Sequence, residues 1–269
     1  MRPTPIHKSE AFTRIELILV IIVVFVLLAM FYPLADLRSA RAPAYRISCI
    51  NNLKQIGTAY RVWANDHNGH FPASESVANG GWREVLTNAD QGFLCWTNYA
   101  IMANELGKLS NEFVQFPKSL VCPSDERKPA GTFTGTNRAD SDFKDNRTLS
   151  YFVGVSASDT QPESLLGGDR NLAAGTEPGR DYGFSPDSGK GNDVAIQTNS
   201  KTGPVCWSLK MHSLGMPYGS GNILLGDDSV QTVNTFGPRW DYWQQVAGQT
   251  ANWPCGHVPS SPSIRVLFP

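Results

Sequence analysis

The sequence predicts an α+β fold: a long N-terminal helix, its first half apolar throughout and its second half amphipathic, packed on an antiparallel β-sheet with long loops. Three observations predict it. An apolar run from Leu17 to Leu34 is followed by Ile50, Leu53, Ile56 or Gly57, Tyr60 and Trp63 or Ala64 at spacings of three and four, the mark of a helix with one apolar stripe. Two later stretches alternate with period two, Leu149-Tyr151-Val153-Val155 and Val205-Trp207-Leu209-Met211, as half-buried strands do. Residues Asn222 to Val233 then read as a hairpin turning at Asp227 and Asp228, since aspartate tolerates the backbone angles of a tight turn. A stripe of this kind has to be covered, and the sheet is the surface available to cover it.

The N-terminal elements come first. Residues 1–11 are polar, with Arg2 and Lys8 as cations. Leu17–Leu34 is eighteen residues long and broken only by Pro33. As a helix it reaches roughly 27 Å, just enough for a hydrocarbon core of about 30 Å. A secretory signal peptide would have a shorter apolar core and a small-residue cleavage site, and Leu34–Arg41 offers a poor one. A plain single-span anchor fits the length. Neither explains Glu16, a carboxylate against the start of the run. At a helix centre such a charge costs about 2.5–3.5 kcal/mol on insertion scales, and less near an end. Within the segment only Arg14 is placed to pair with it. Arg2, Lys8 and Arg14 precede the run and Arg38, Arg41 and Arg46 follow it, so the distribution of cations does not orient a span.

Ala11-Phe12-Thr13-Arg14-Ile15-Glu16-Leu17 resembles the prepilin cleavage motif of type IV pilins and type II secretion pseudopilins, which reads G-F-T-L-I-E-L. The resemblance implies that a prepilin peptidase cuts between Ala11 and Phe12 on the cytoplasmic side and that the new amine of Phe12 is methylated. Residues 1–11 are then a leader and 12–34 a single transmembrane helix in the inner membrane. Residues 35–269 form a periplasmic or extracellular pilin-like domain. It further implies that Glu16 pairs with the terminal ammonium of a neighbouring subunit, so that the carboxylate gains its partner on assembly. The chain departs from the motif in having Ala11 for glycine and Arg14 for leucine.

The amphipathic helix, placed at about 44–66, carries a second resemblance. Cys49-Ile-Asn51-Asn52-Leu53-Lys54-Gln55-Ile56-Gly57, with Tyr60 and Asp66-His-Asn-Gly69-His-Phe71-Pro72, is similar to a large group of pilin-like proteins abundant in planctomycete- and verrucomicrobium-like bacteria. Cys122-Pro123-Ser124-Asp125 and the segment from His212 to Val230 also fit that group. Its late signature is a histidine, nine residues and Asp-Gly, whereas here fourteen residues separate His212 from Asp227-Asp228. Because Cys49 and Cys122 both lie in such family-like motifs, a disulfide between them is the expected pairing.

The remaining elements are short. Pro43 is expected to kink the helix or delay its start. Asp66–Gly69 with Pro72 beyond should end it. Ser124–Gly203, rich in Gly, Asp, Ser, Thr and Asn, reads as long surface loops interrupted by one strand, and Pro238–Val246 as a short helix. With 24 glycines and 18 prolines, many turns around a modest core are expected. A net charge of −1 without runs of one sign does not suggest nucleic-acid binding. The five cysteines show no CxxC spacing, which speaks against zinc. One thiol at least stays unpaired or pairs with another chain.

No catalytic constellation is visible. His7, His67, His70, His212 and His257 are scattered, with no HExxH, G-x-S-x-G or P-loop. His212, ending a strand, is the one to inspect, and a hydrogen bond to backbone or to an aspartate is its simplest role. Asp227 and Asp228 supply turn chemistry, with calcium as the sharper alternative. Trp240, Trp243 and Trp253 either pack the C-terminal segment on the domain or form a sugar- or peptide-binding face. The expectation is a structural, non-enzymatic subunit without cofactor, whose partners are the prepilin peptidase, other pilin-like subunits and the membrane. The alternative is a membrane-tethered binding module for glycan or protein.

Overall fold

The computed structural model describes residues 13–31, 37–87, 93–109, 117–131, 133, 142–175, 177–197, 205–213, 218–235 and 263–269. The chain divides into two units, Met1–Pro43 and Ala44–Pro269, each taken by itself below.

In the first unit, α1 spans Arg14–Phe31. Thr13 and Glu16 bracket its first turn. The Thr13 hydroxyl accepts from the Glu16 N–H at 3.4 Å, and the Glu16 carboxylate accepts from the Thr13 N–H at 3.4 Å. This reciprocal arrangement is a capping box. From Leu17 to Leu28 every large apolar side chain is exposed, between 46% and 71%. Among the described residues no helix is long and apolar enough to cross a membrane; the apolar run continues in the sequence to Leu34, and Pro33 and Leu34 lie outside the described residues.

Helix α2 spans Leu37–Asp66 and contains Pro43. It therefore starts earlier than the expected boundary at 44, and runs through the proline rather than after it. Pro43 has no N–H to give the carbonyl four residues back, and the rest of the helix carries it. From Ala44 onward, Cys49, Leu53, Ile56, Ala59, Tyr60, Trp63 and Ala64 are buried. The stripe begins on Cys49, and Ile50 is only half-buried. The helix ends where the Gly69 and His67 N–H groups donate to the Ala64 carbonyl at 2.8 and 3.0 Å, with Asn68 and Gly69 at φ 56° and 80°. Left-handed residues of this kind close helices by satisfying carbonyls of the last turn.

Among the described residues eight strands form two sheets. In chain order they are β1 Tyr151–Gly154, β2 Leu165–Asp169, β3 Leu172–Ala174, β4 Asn192–Gln197, β5 Val205–Trp207, β6 Ser220–Leu225, β7 Val230–Asn234 and β8 Ser263–Phe268. Six form an antiparallel sheet in the order β4-β8-β1-β2-β6-β7, and β3 pairs with β5 separately. Helix α2 packs on one face of the large sheet, its Leu53, Ile56 and Tyr60 in a cluster with Tyr151, Val153, Leu166, Leu224 and Leu267. The fold is thus α+β, with the long helix on a six-stranded antiparallel sheet.

Three expectations need correction. Residues 124–203 are not loops around one strand, for β1 to β4 all lie there. β2 and β3 are short and rich in glycine or alanine, so no periodicity marks them. β1 is buried on both faces, not half-buried, because a second cluster covers the far side of the sheet: Phe152, Ile223, Val266 and Phe268 pack with Leu172, Val205 and Trp207 of the small sheet. The strand expected through Met211 stops at Trp207, and Met211–Ser213 is a 3-10 turn. A further helix, α3 at Leu94–Leu109, was not expected. Its Leu94, Cys95, Asn98, Tyr99 and Met102 are buried, and its apolar members join the α2 cluster. The expected helix at Pro238–Val246 lies outside the described residues.

Candidate functional site

Four side chains from four separate elements converge beneath α2. Cys49 comes from the buried face of that helix. Cys122 follows the 3-10 turn Pro117–Leu120, Asp169 ends β2, and His212 sits in the turn Met211–Ser213. The Cys49 and Cys122 sulfurs form a disulfide with a Cα–Cα distance of 5.2 Å. Cys122 Sγ lies 3.3 Å from His212 Nε2, which lies 3.5 Å from Asp169 Oδ2. All four residues are buried.

The backbone around His212 is held from several sides. Met211 adopts φ 55°, unfavourable for a residue with a side chain, and its neighbours hold it there. Arg46 of α2 donates to the His212 carbonyl at 2.9 Å. The Ser213 hydroxyl donates to the Ser208 carbonyl and accepts from the Ser220 N–H at 2.8 and 2.7 Å. Asn171 donates to the carbonyls of Ser208, Lys210 and Ser220. On the ring itself, Nδ1 faces the Ser124 hydroxyl at 3.5 Å.

Asp169 Oδ2 accepts from the backbone and side-chain N–H groups of Asn222 at 2.7 and 2.9 Å. Oδ1 is buried without a hydrogen-bond partner among the described residues. Burial pushes the Asp169 carboxyl up to about 7, against the lowering effect of the Asn222 bonds. Burial, helped by the charge of Arg46, brings His212 down to about 4. The contact between them at neutral pH is thus no conventional ion pair, since the imidazole is neutral.

Next to this cluster stands a buried ion pair. Arg170 donates from Nε and Nη2 to both oxygens of Asp125, at 2.7 and 2.9 Å, and stacks its guanidinium 3.4 Å above the Tyr182 ring. The Ser150 hydroxyl donates to Asp125 at 2.6 Å. Burial raises the Asp125 carboxyl, but Arg170 and Ser150 outweigh it and hold the group below the ordinary carboxylate range. Asp125 closes the Cys122-Pro-Ser-Asp segment, so one short stretch supplies both the disulfide and the anchor of Arg170.

The other candidates fall elsewhere. Ala11 and Phe12 lie outside the described residues, as do Trp240, Trp243, Trp253 and Cys255. Glu16 is in the α1 capping box. Cys95 and Cys206 are buried thiols, and burial raises both, which makes them poor nucleophiles. Asp227 and Asp228 do form the β6–β7 turn. The Ser229 N–H donates to Asp227 Oδ1 at 2.9 Å, and Asp228 takes φ 69°. Asp228 Oδ1 presses on Gly57 of α2, where a Cβ would stand 1.7 Å from it. That close approach is the reason for a glycine on the buried face of the helix. The carboxylate that meets His212 is that of Asp169, which no motif or spacing in the sequence marked.

A family model described as "Protein of unknown function (DUF1559)" matches residues 38–203, a span that contains Cys49, Cys122, Asp125 and Asp169 but not α1 or His212. No curated protein and no solved structure matches the chain.

Proposed function

The chain belongs to the DUF1559 family, and from that premise we propose that it is a membrane-anchored, pilin-like structural subunit, without enzymatic activity, that assembles through its N-terminal helix. The observation that carries this reading is α1. Its apolar side chains from Leu17 to Leu28 are exposed on all sides. A helix apolar all round is stable only in lipid or among other apolar helices. The match of Ala11–Leu17 to the prepilin motif gives the same segment a processing site. The disulfide supports an extracytoplasmic domain, since such bonds persist in oxidising compartments.

In this reading Glu16 has two successive partners. Within one chain it caps its own helix through Thr13. In an assembly it meets the terminal amine of a neighbouring Phe12, whose ordinary pKa of about 7.7–8.0 keeps much of it charged near neutrality. Mass spectrometry of the native membrane form tests the processing half: the expected N-terminus is methylated Phe12, and an intact Met1 would sink it. Glu16→Leu tests the assembly half. Membrane insertion should persist, because removing a charge eases transfer, while recovery with other pilin-like subunits should fall. Undiminished co-purification would overturn the assembly role.

A further inference from the structure

We propose that Cys49, Cys122, His212 and Asp169 form a four-donor site for a divalent transition metal of the zinc class, available when the Cys49–Cys122 bond is reduced. The inference rests on this side-chain cluster and not on α1 or the prepilin motif. Two sulfurs, an imidazole nitrogen and a carboxylate are a donor set that zinc takes in tetrahedral sites. All four donor atoms lie within 4.8 Å of one another. Zinc bonds of about 2.0–2.3 Å place tetrahedral donors about 3.3–3.8 Å apart. The Cys122 Sγ–His212 Nε2 distance is 3.3 Å and the His212 Nε2–Asp169 Oδ2 distance is 3.5 Å. The two bonded sulfurs have to separate for the ion to enter.

Two further observations point to a ligand. Asp169 Oδ1, the oxygen beside the Oδ2 that stands 3.5 Å from His212, is buried with no hydrogen-bond partner among the described residues, a costly condition that a cation held by the carboxylate relieves. The imidazole is aimed from its backbone by Arg46 and faces Ser124 with its other nitrogen, the kind of outer support that orients metal-bound histidines. An inert bridge needs neither group, because apolar side chains would surround it at lower cost.

The disulfide and the metal site exclude one another. Opening the bridge takes two electrons and two protons and yields two thiols. A phosphine supplies the two electrons and water the two protons, the oxygen of that water passing to phosphorus to give the phosphine oxide. Ion capture then releases the two thiol protons to solvent, which makes binding pH-dependent.

Cobalt(II) is the probe. The full chain in detergent is reduced with a phosphine, desalted without oxygen and titrated. The expected result is one ion per chain, with the visible bands of tetrahedral cobalt and a thiolate charge-transfer band. Zinc should displace it, and the oxidised chain should show neither feature. His212→Asn and Asp169→Asn should each weaken binding about tenfold or more, with folding of the variants checked by melting their oxidised forms. X-ray absorption on the zinc-loaded parent needs no variant, and two sulfur plus two nitrogen or oxygen neighbours are expected. A reduced chain without tetrahedral bands, a four-sulfur or all-oxygen shell, or affinity unchanged in both variants would each overturn the site. So would a reduced chain that unfolds and is not refolded by the ion.

Discussion

Helices α1 and α2 are both long and both rich in apolar residues, yet they distribute them differently. In α1 the apolar side chains encircle the axis and are all exposed. In α2, from Cys49 to Ala64, they occupy one face and are buried on the sheet, while Asn51, Lys54, Gln55, Thr58, Arg61 and Val62 remain outside. The difference teaches what each helix is built to meet. A stripe matches a single flat partner, and the chain supplies one. A helix apolar on every side needs a surrounding apolar phase, which must come from elsewhere.

The largest effect should come from removing α2 itself. A chain beginning at Ala44 keeps the stripe and should melt cooperatively as a monomer. One beginning at Asn68 exposes the sheet's apolar face and should aggregate or unfold. Thermal melting and size-exclusion chromatography of the two compare them directly, and equal cooperativity would break the contrast drawn between the helices.

Replacing Cys49 by Ser should cost about 4 kcal/mol, the loop-closure value for a bridge spanning 73 positions. The midpoint of urea unfolding under oxidising conditions measures it. Next in size, Leu53→Ala on the α2 face should cost about 3 kcal/mol, because Leu53 is wholly buried. The matching change Ile21→Ala on exposed α1 should shift the domain's stability by less than about 0.5 kcal/mol. The two measured side by side sharpen the comparison, and an equal loss would abolish it.

A further effect concerns pH. Because Arg170 and Ser150 hold Asp125 below its ordinary value despite burial, the folded state binds its proton less readily than the unfolded one. That contribution is complete above the ordinary carboxylate range and is lost as pH falls through the lowered value, below about pH 4. Acid titration of the domain should therefore steepen below that point. Asp125→Asn, less stable at neutral pH, should show a shallower acid limb, and an unchanged limb would remove Asp125 from the account.

The sequence alone determined what depends on short-range periodicity. Spacings of three and four placed the α2 stripe, a continuous run placed α1, and paired aspartates placed the β6–β7 turn. The T-x-x-E capping box of Thr13 and Glu16 was equally legible, as was the buried face of α3 in Leu94, Cys95, Asn98, Tyr99 and Met102. Tertiary structure decided the rest. β2 and β3 are too short and too rich in glycine and alanine to show a period. That β1 is covered on both faces depends on Leu172, Val205 and Trp207 arriving from distant positions. The convergence of Cys49, Cys122, Asp169 and His212 is likewise invisible in one dimension. Donor atoms within 4.8 Å of one another come from positions up to 163 residues apart in the sequence, and only the packing of helix on sheet closes that distance.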